Sequence, residues 1–143
     1  MNKNMEKEKS RIFCKHDLQH SLDVARIAYI LNLEADLKIE KEIIYAAALL
    51  HDITKWKQYE DGTPHHESVL VPAEKILADC GFDKIEIQLI LEAIHKHRKC
   101  QNDEKTFSKI LYDADKKSRR CFECEATQKC NWSDSKKNST IIY

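Results

Sequence analysis

The run Ala46-Ala47-Ala48-Leu49-Leu50 leads straight into His51 and Asp52, with Lys55 three residues on. Ionisable side chains that close an apolar helix are costly to bury unpaired, by roughly several kcal/mol. A divalent metal reverses that cost, because it needs neutral imidazole and carboxylate donors held in a dry, fixed place. Other histidines stand in matching positions. His20 shares a helical face with Val24, Ile27, Ala28 and Leu31, and His51 with Ile44, Ala47 and Ala48. His97 lies nearer the Ile87/Ile90/Leu91/Ile94 face than His95 does. A single core histidine is most simply a hydrogen-bonded one, but three from three helices beside Asp52 point to a shared metal. His16 and His95 read as surface residues. An acidic partner is expected from Ile110–Lys117, where Asp113 and Asp115 flank the apolar stripe about equally and periodicity does not choose.

The elements that must position these groups are helices. Only two Gly and two Pro occur in 143 residues, which argues against a turn-rich β fold. Apolar periodicity predicts helices over about 17–33, 40–52, 68–80, 84–97 and 104–120, the second being apolar nearly all round and central. Asp83 and Glu86 have the form of a capping box, and Gly81 is the expected left-handed stop of the helix before it. Pro72 sits either in the first turn of its helix or at a kink. Residues 54–67 read as a polar connection, with Asp61-Gly62 as the turn. The expected architecture is all-α: a single-domain bundle of about five core helices. Residues 1–13 form a charged lead-in, 14–120 the metal-binding domain, and 121–143 a cysteine-containing segment with a loose polar tail.

Charged residues make up 34% of the chain, with 24 basic and 24 acidic. That balance gives no support for dedicated nucleic-acid or membrane binding, so an anionic ligand must be held locally. The N-terminus has no apolar leader, and no stretch approaches the ~20 apolar residues of a membrane span. The cytoplasm is the default expectation, and the six cysteines there read as thiols or metal ligands rather than disulfides. Cys121-x2-Cys124-x5-Cys130 has the spacing that zinc and iron–sulfur sites exploit, but it supplies three local ligands. A fourth would come from Cys14, Cys80 or Cys100. Reduced thiols packed around Phe122 and Trp132 are preferred over such a site. Asn138-Ser139-Thr140 matches a glycosylation acceptor that lacks meaning without a secretory route.

The order of the blocks carries a resemblance. His20-x3-Val24-Ala25-x2-Ala28, Ala47-Ala48-Leu49-Leu50-His51-Asp52-x2-Lys55 and Asp113-Ala114-Asp115-Lys116 resemble the HD-domain metal-dependent phosphohydrolase superfamily over residues 15–120. The resemblance implies a first metal held by His20, His51, Asp52 and Asp115, the second Asp of the Asp-x-Asp-Lys block being the usual ligand. Two more blocks resemble the subset with a second metal. His65-His66-Glu67-Ser68 offers a ligand for which His65 fits the spacing slightly better than His66, and Ile94-His95-Lys96-His97 points to His97. Some bacterial members that hydrolyse diadenosine tetraphosphate carry this set. Thr54 stands where Gly is more common in the His-Asp-x-x-Lys block.

The resemblance implies hydrolysis of a phosphate ester or anhydride of a nucleotide or related small molecule by a metal-activated water. Asp52 would bridge one or two ions of iron, manganese, cobalt, nickel or zinc, with magnesium as the oxygen-preferring alternative. Lys55 would reach a substrate phosphate, with Arg98, Lys116 and Arg119 as weaker candidates whose default is a solvated surface charge. The competing reading is a non-catalytic metal- or nucleotide-binding sensor, or an interaction module with a redox- or metal-responsive cysteine segment. Oligomeric state is not legible in the sequence.

Overall fold

The computed structural model describes residues 1–98 and 105–143. The described chain is all-helical, in the order α1 (Asn2–Lys7), α2 (Leu18–Ala35), α3 (Lys41–Leu50), α4 (Lys55–Asp61), α5 (His65–Ser68), α6 (Leu70–Asp79), α7 (Lys84–Lys96) and α8 (Phe107–Lys117). Three single 3-10 turns follow, Cys121–Glu123, Thr127–Lys129 and Asp134–Lys136. Among the described residues no helix is long and apolar enough to cross a membrane.

Five helices make the bundle. α2 lies against α3 and α8, α7 packs on α3, α6 and α8, and α3 lies between α2 and α7. The seam is built from small residues beside branched ones. Ala25 and Ala28 of α2, Ala47 and Ala48 of α3 and Ala114 of α8 are fully buried, which lets the backbones approach closely. Ile44, Leu77, Ile90, Ile94 and Leu111 fill the space between them. Deleting one of these, as in Ile44→Ala, costs about 2–5 kcal/mol through lost transfer energy and the cavity left behind.

The helix ends follow local chemistry. Asp83 Oδ1 accepts from the Ile85 and Glu86 amides at 2.8 and 2.9 Å, and Glu86 Oε2 accepts from the Asp83 amide at 2.8 Å. α6 ends in a Schellman arrangement in which Phe82 N–H donates to the Leu77 carbonyl and Gly81 takes a φ of +88° that side chains disfavour. Pro72 occupies the first turn of α6, and it also explains the break at Val69. Lacking an N–H, it leaves the Ser68 carbonyl without its helical donor.

Three expectations are corrected. Residues 54–67 are not a simple connection, because they contain α4 and α5. α4 has no buried residue and therefore no apolar stripe to announce it. Residues 1–13 are more than a lead-in, since α1 docks on α4 with Asn4 and Glu8 about 99% buried. The tail is tied down as well: Asn138 Nδ2 donates to the carbonyls of Lys116, Lys117 and Arg119, closing the end of α8. With that amide engaged, Asn138 has a structural use in place of the glycosylation its motif suggests.

The capping box is exposed and remote from the histidines, so its contribution is separable. Asp83→Ala is expected to lower unfolding free energy by about 1 kcal/mol in urea titration, with bound metal unchanged.

Candidate metal centre

His51 and Asp52 sit where α3 runs out. His51 still donates its backbone N–H to Ala47 and keeps right-handed helical angles, so both side chains are fixed at the end of a helix with half its residues buried. His20 enters from the first turn of α2, where Asp17 caps the helix by accepting from the His20 amide at 2.9 Å. His97 follows the last residue of α7, His65 opens α5, and Asp115 lies on the buried face of α8.

The structure brings these six residues into two adjoining groups. His20, His51, Asp52 and Asp115 present ligand atoms all within 4.8 Å of one another, and so do Asp52, His65 and His97. Asp52 belongs to both. Its Oδ2 is 3.2 Å from His51 Nε2, and its Oδ1 is 3.1 Å from His65 Nε2. On the other side His20 Nε2 is 3.3 Å from Asp115 Oδ1.

All four rings are anchored through Nδ1. His51 donates to the Ala48 carbonyl at 2.7 Å, His97 to the Ile94 carbonyl, and His65 to Gln58 Oε1 at 2.6 Å. The Ser118 hydroxyl is committed to the Asp115 carbonyl, so its oxygen accepts from His20 Nδ1 at 3.1 Å. Anchoring one ring nitrogen sets the tautomer and turns the other into a ligand. His20 Nε2, His51 Nε2 and Asp52 Oδ1 are buried and lack a hydrogen-bond partner among the described residues. Orphaned buried acceptors are costly, and this donor set, imidazole nitrogen with carboxylate oxygen, fits a divalent transition metal.

Electrostatics agree with that fit. Burial brings His20 down to about 4, His97 to about 4 and His65 to about 3, so all three are neutral near pH 7. Burial also opposes charge on His51, but the Asp52 carboxylate outweighs it and raises that ring above its ordinary value. Burial pushes Asp52 up, yet His51 holds it well below the usual carboxylate range. Asp115 is held low in the same way, mainly by Arg119.

Of the adjacent pair, the structure turns His65 to Asp52, whereas the buried His66 stacks beside the exposed His95 with ring centroids 5.9 Å apart. Thr54 Oγ1 donates to the His65 carbonyl at 3.3 Å and lies 2.8 Å from Ser68 Oγ, tying the His-Asp turn to α5. Lys55 Nζ sits 3.2 Å from both Gln58 Oε1 and His65 Nδ1 at the cavity wall. Arg119 is not a solvated charge, because it is buried and donates to Asp115 Oδ1 at 2.7 Å. Lys116 binds the other Asp115 oxygen, and Arg98 is exposed on the cavity rim. Asp113 faces Lys109 instead.

His16 corrects the sequence reading. It is buried, its Nδ1 is bound to Glu8 Oε1, and its Nε2 points toward Asp52 Oδ2 at 3.7 Å. Glu8 also accepts from the His16 amide at 2.7 Å and from the Tyr59 hydroxyl. Asn4 completes this support, donating to the Asp52 carbonyl at 2.8 Å and accepting from the Trp56 amide at 2.9 Å. His16 lies in the non-helical segment before α2, where apolar periodicity gives no signal of its burial.

Four of the six, Asp52, His65, His97 and Asp115, together with His16, line a cavity of about 1010 Å³. Among the described residues, Arg11, Lys55, Arg98, Lys116, Lys117, Arg119, Lys129 and Lys136 line it against Asp52, Asp113 and Asp115, eight cations to three carboxylates. Phe13, Tyr59, Tyr112 and Trp132 supply apolar wall.

Two expectations follow from the Asn4 and Glu8 contacts. Asn4→Ala leaves the Asp52 carbonyl and the Trp56 amide unsatisfied and is expected to cost about 1–3 kcal/mol in urea unfolding. Burial pushes the Glu8 carboxyl up, but His16 and Tyr59 outweigh it and lower it from 4.5 to about 2. A carboxyl depressed by folding stabilises above its unfolded value. The stability difference between wild type and Glu8→Gln should therefore be constant above about pH 4.5 and shrink as pH falls toward 2, read from urea midpoints across that range.

The chain matches the HD domain family over residues 17–120, a span that contains all six candidate ligands. A protein of Clostridium beijerinckii, described as an uncharacterized protein, is 46% identical over 143 residues, covering 100% of this chain and 90% of its own length. No solved structure matches significantly. With the helical bundle and the clustered His and Asp residues already in place, the match over most of the sequence settles the family: this chain belongs to the HD domain family.

Proposed function

We propose that this protein is a metal-dependent phosphohydrolase that cleaves a phosphate ester or anhydride in a nucleotide or related small anion. The observation that carries the reading is Asp52, one buried carboxylate whose two oxygens face two different sets of imidazoles. That arrangement suits a pair of ions sharing a bridge, with His20, His51 and Asp115 on one side and His65 and His97 on the other. Divalent metal bound there supplies Lewis acidity and a water acidic enough to attack near neutral pH.

The chain's own residues do the rest. The excess of cations in the cavity attracts an anionic substrate and neutralises phosphoryl oxygens, the main task of protein groups in phosphoryl transfer. Lys55 is the candidate for that role, supported by its position one turn beyond Asp52 and by Gln58, whose Oε1 accepts from its ammonium at 3.2 Å. Arg119 and Lys116 hold Asp115 in position rather than reaching for substrate. Tyr112 and Trp132 offer flat faces near the cations, with Lys116 5.3 and 5.8 Å from their ring centroids. Such faces suit a nucleobase.

The test is phosphate release from a panel of nucleotides by protein loaded with iron, manganese, cobalt, nickel, zinc or magnesium. Metal-dependent turnover is expected, abolished in Asp52→Ala along with the bound metal. Lys55→Ala should retain the metal and lose roughly 100-fold in kcat/KM. Full metal binding with no hydrolysis of any nucleotide or simple phosphate ester would contradict catalysis and leave a metal-dependent binding module.

A further inference from the structure

The metal-site reading leaves the C-terminal cysteines without a role, although the fold gathers them. Cys121 opens the first 3-10 turn after α8, Cys124 closes it, and Cys130 closes the second. Thr127 binds the turns together, its hydroxyl lying 2.6 Å from the Cys124 carbonyl and 3.1 Å from the Cys121 carbonyl. This wound loop is a poor core, since Ala126 is its only buried apolar residue and Phe122 points to solvent at 42% exposure. Of the two rings expected to pack against the thiols, Phe122 is exposed and Trp132 lines the large cavity. Something other than apolar burial must hold the loop.

Cys14, more than a hundred residues earlier in the chain, arrives at the same place. With Cys121 and Cys130 it lines the large cavity, and with Cys124 it lines a smaller one on the other side of Arg119. All four thiols are half-buried and none is in a disulfide. Burial raises the Cys14 thiol, Arg119 opposes the rise, and Cys121 and Cys124 add to it, which places those sulfurs within electrostatic reach of one another. Arg119 lines both cavities and acts electrostatically on Cys14, where it offsets thiolate charge.

The sulfurs are not drawn tightly around one point. No three of the four lie within 4.8 Å of one another. Around a single tetrahedral zinc, with Zn–S bonds of about 2.3 Å, all sulfurs would sit closer than that. A cluster whose irons stand between the thiolates needs a wider set, and ligation by four cysteines that include a Cys-x2-Cys pair is its common form. We propose that Cys14, Cys121, Cys124 and Cys130 ligate an iron–sulfur cluster that fastens the C-terminal loop to the segment preceding α2. All four lie outside the region matched by the HD domain family. Because Trp132 and Lys129 follow the loop into the cavity wall, the cluster also sets the shape of the cavity mouth. Its assembly does not depend on hydrolytic activity.

The test uses the full chain, purified anaerobically and reconstituted with ferric iron, a thiol reductant and sulfide. Acid-labile sulfide should approach about four per chain, and iron about four beyond what the His/Asp site takes up, with visible sulfur-to-iron absorbance, as for a four-iron, four-sulfide centre. Asp52→Ala should keep all of the sulfide and the absorbance, which separates the cluster from metal at the His/Asp site. Cys14→Ser and Cys124→Ser should each lose most of the sulfide, while Cys80→Ser and Cys100→Ser keep it. Should a ligand variant fail to fold, alkylation of reconstituted wild type followed by mass spectrometry gives the same answer: the four ligands protected, the exposed Cys80 modified. Absence of labile sulfide after reconstitution, one zinc in place of iron, or a full cluster in Cys14→Ser would each overturn the proposal.

Discussion

A carboxylate buried as deeply as Asp52 is stable only if neighbouring groups offset its charge, and the surroundings of Asp52 are arranged to do so. Its two oxygens face His51 and His65, His16 stands behind one of them, and its backbone carbonyl is held by Asn4. Four elements, α1, α3, α5 and the segment before α2, are thus brought together at one residue. The Asp52 carboxylate raises the His51 ring above its ordinary value, whereas burial lowers the other three ligand rings. Asp115 repeats the logic on α8, where Arg119 and Lys116 supply the cations. The site is assembled by the cost of burying charge, and the helices around it supply the dry place that makes the cost large.

What the sequence disclosed follows from that division of labour. The bundle helices were legible because each buries a stripe, and His20, His51 and His97 were legible because they fall on those stripes. Asp115 was not separable from Asp113 by periodicity, since both flank the apolar face of α8. The family resemblance pointed to Asp115, and packing against α2, with Ser118 and His20 close by, is what sets it apart physically. α1 and α4 left no apolar pattern, being short and charged, so the support given by Asn4, Glu8 and His16 could not be seen. These three act through polar contacts between segments distant in sequence, which no local spacing encodes. The docking of Asn138 on the end of α8 belongs to the same class.

Charge distribution explains how a chain of zero net charge can hold an anion. The cations are not in excess overall but converge on one cavity, drawn from the loops before α2 and after α8 as well as from α4 and α8. Part of that wall comes from the C-terminal loop, whose own apolar core is negligible. The metal site, the basic cavity and the fastening of the loop are therefore coupled through Arg119, which faces Asp115 on one side and Cys14 on the other.

The most direct measurement is anomalous diffraction from crystals of the metal-loaded protein. Bridging by Asp52 predicts two peaks, each about 2.0–2.2 Å from a different Asp52 oxygen, one beside His20, His51 and Asp115 and the other beside His65 and His97. Loaded crystals with no ion at Asp52, or with metal only at the cysteines, would contradict the account.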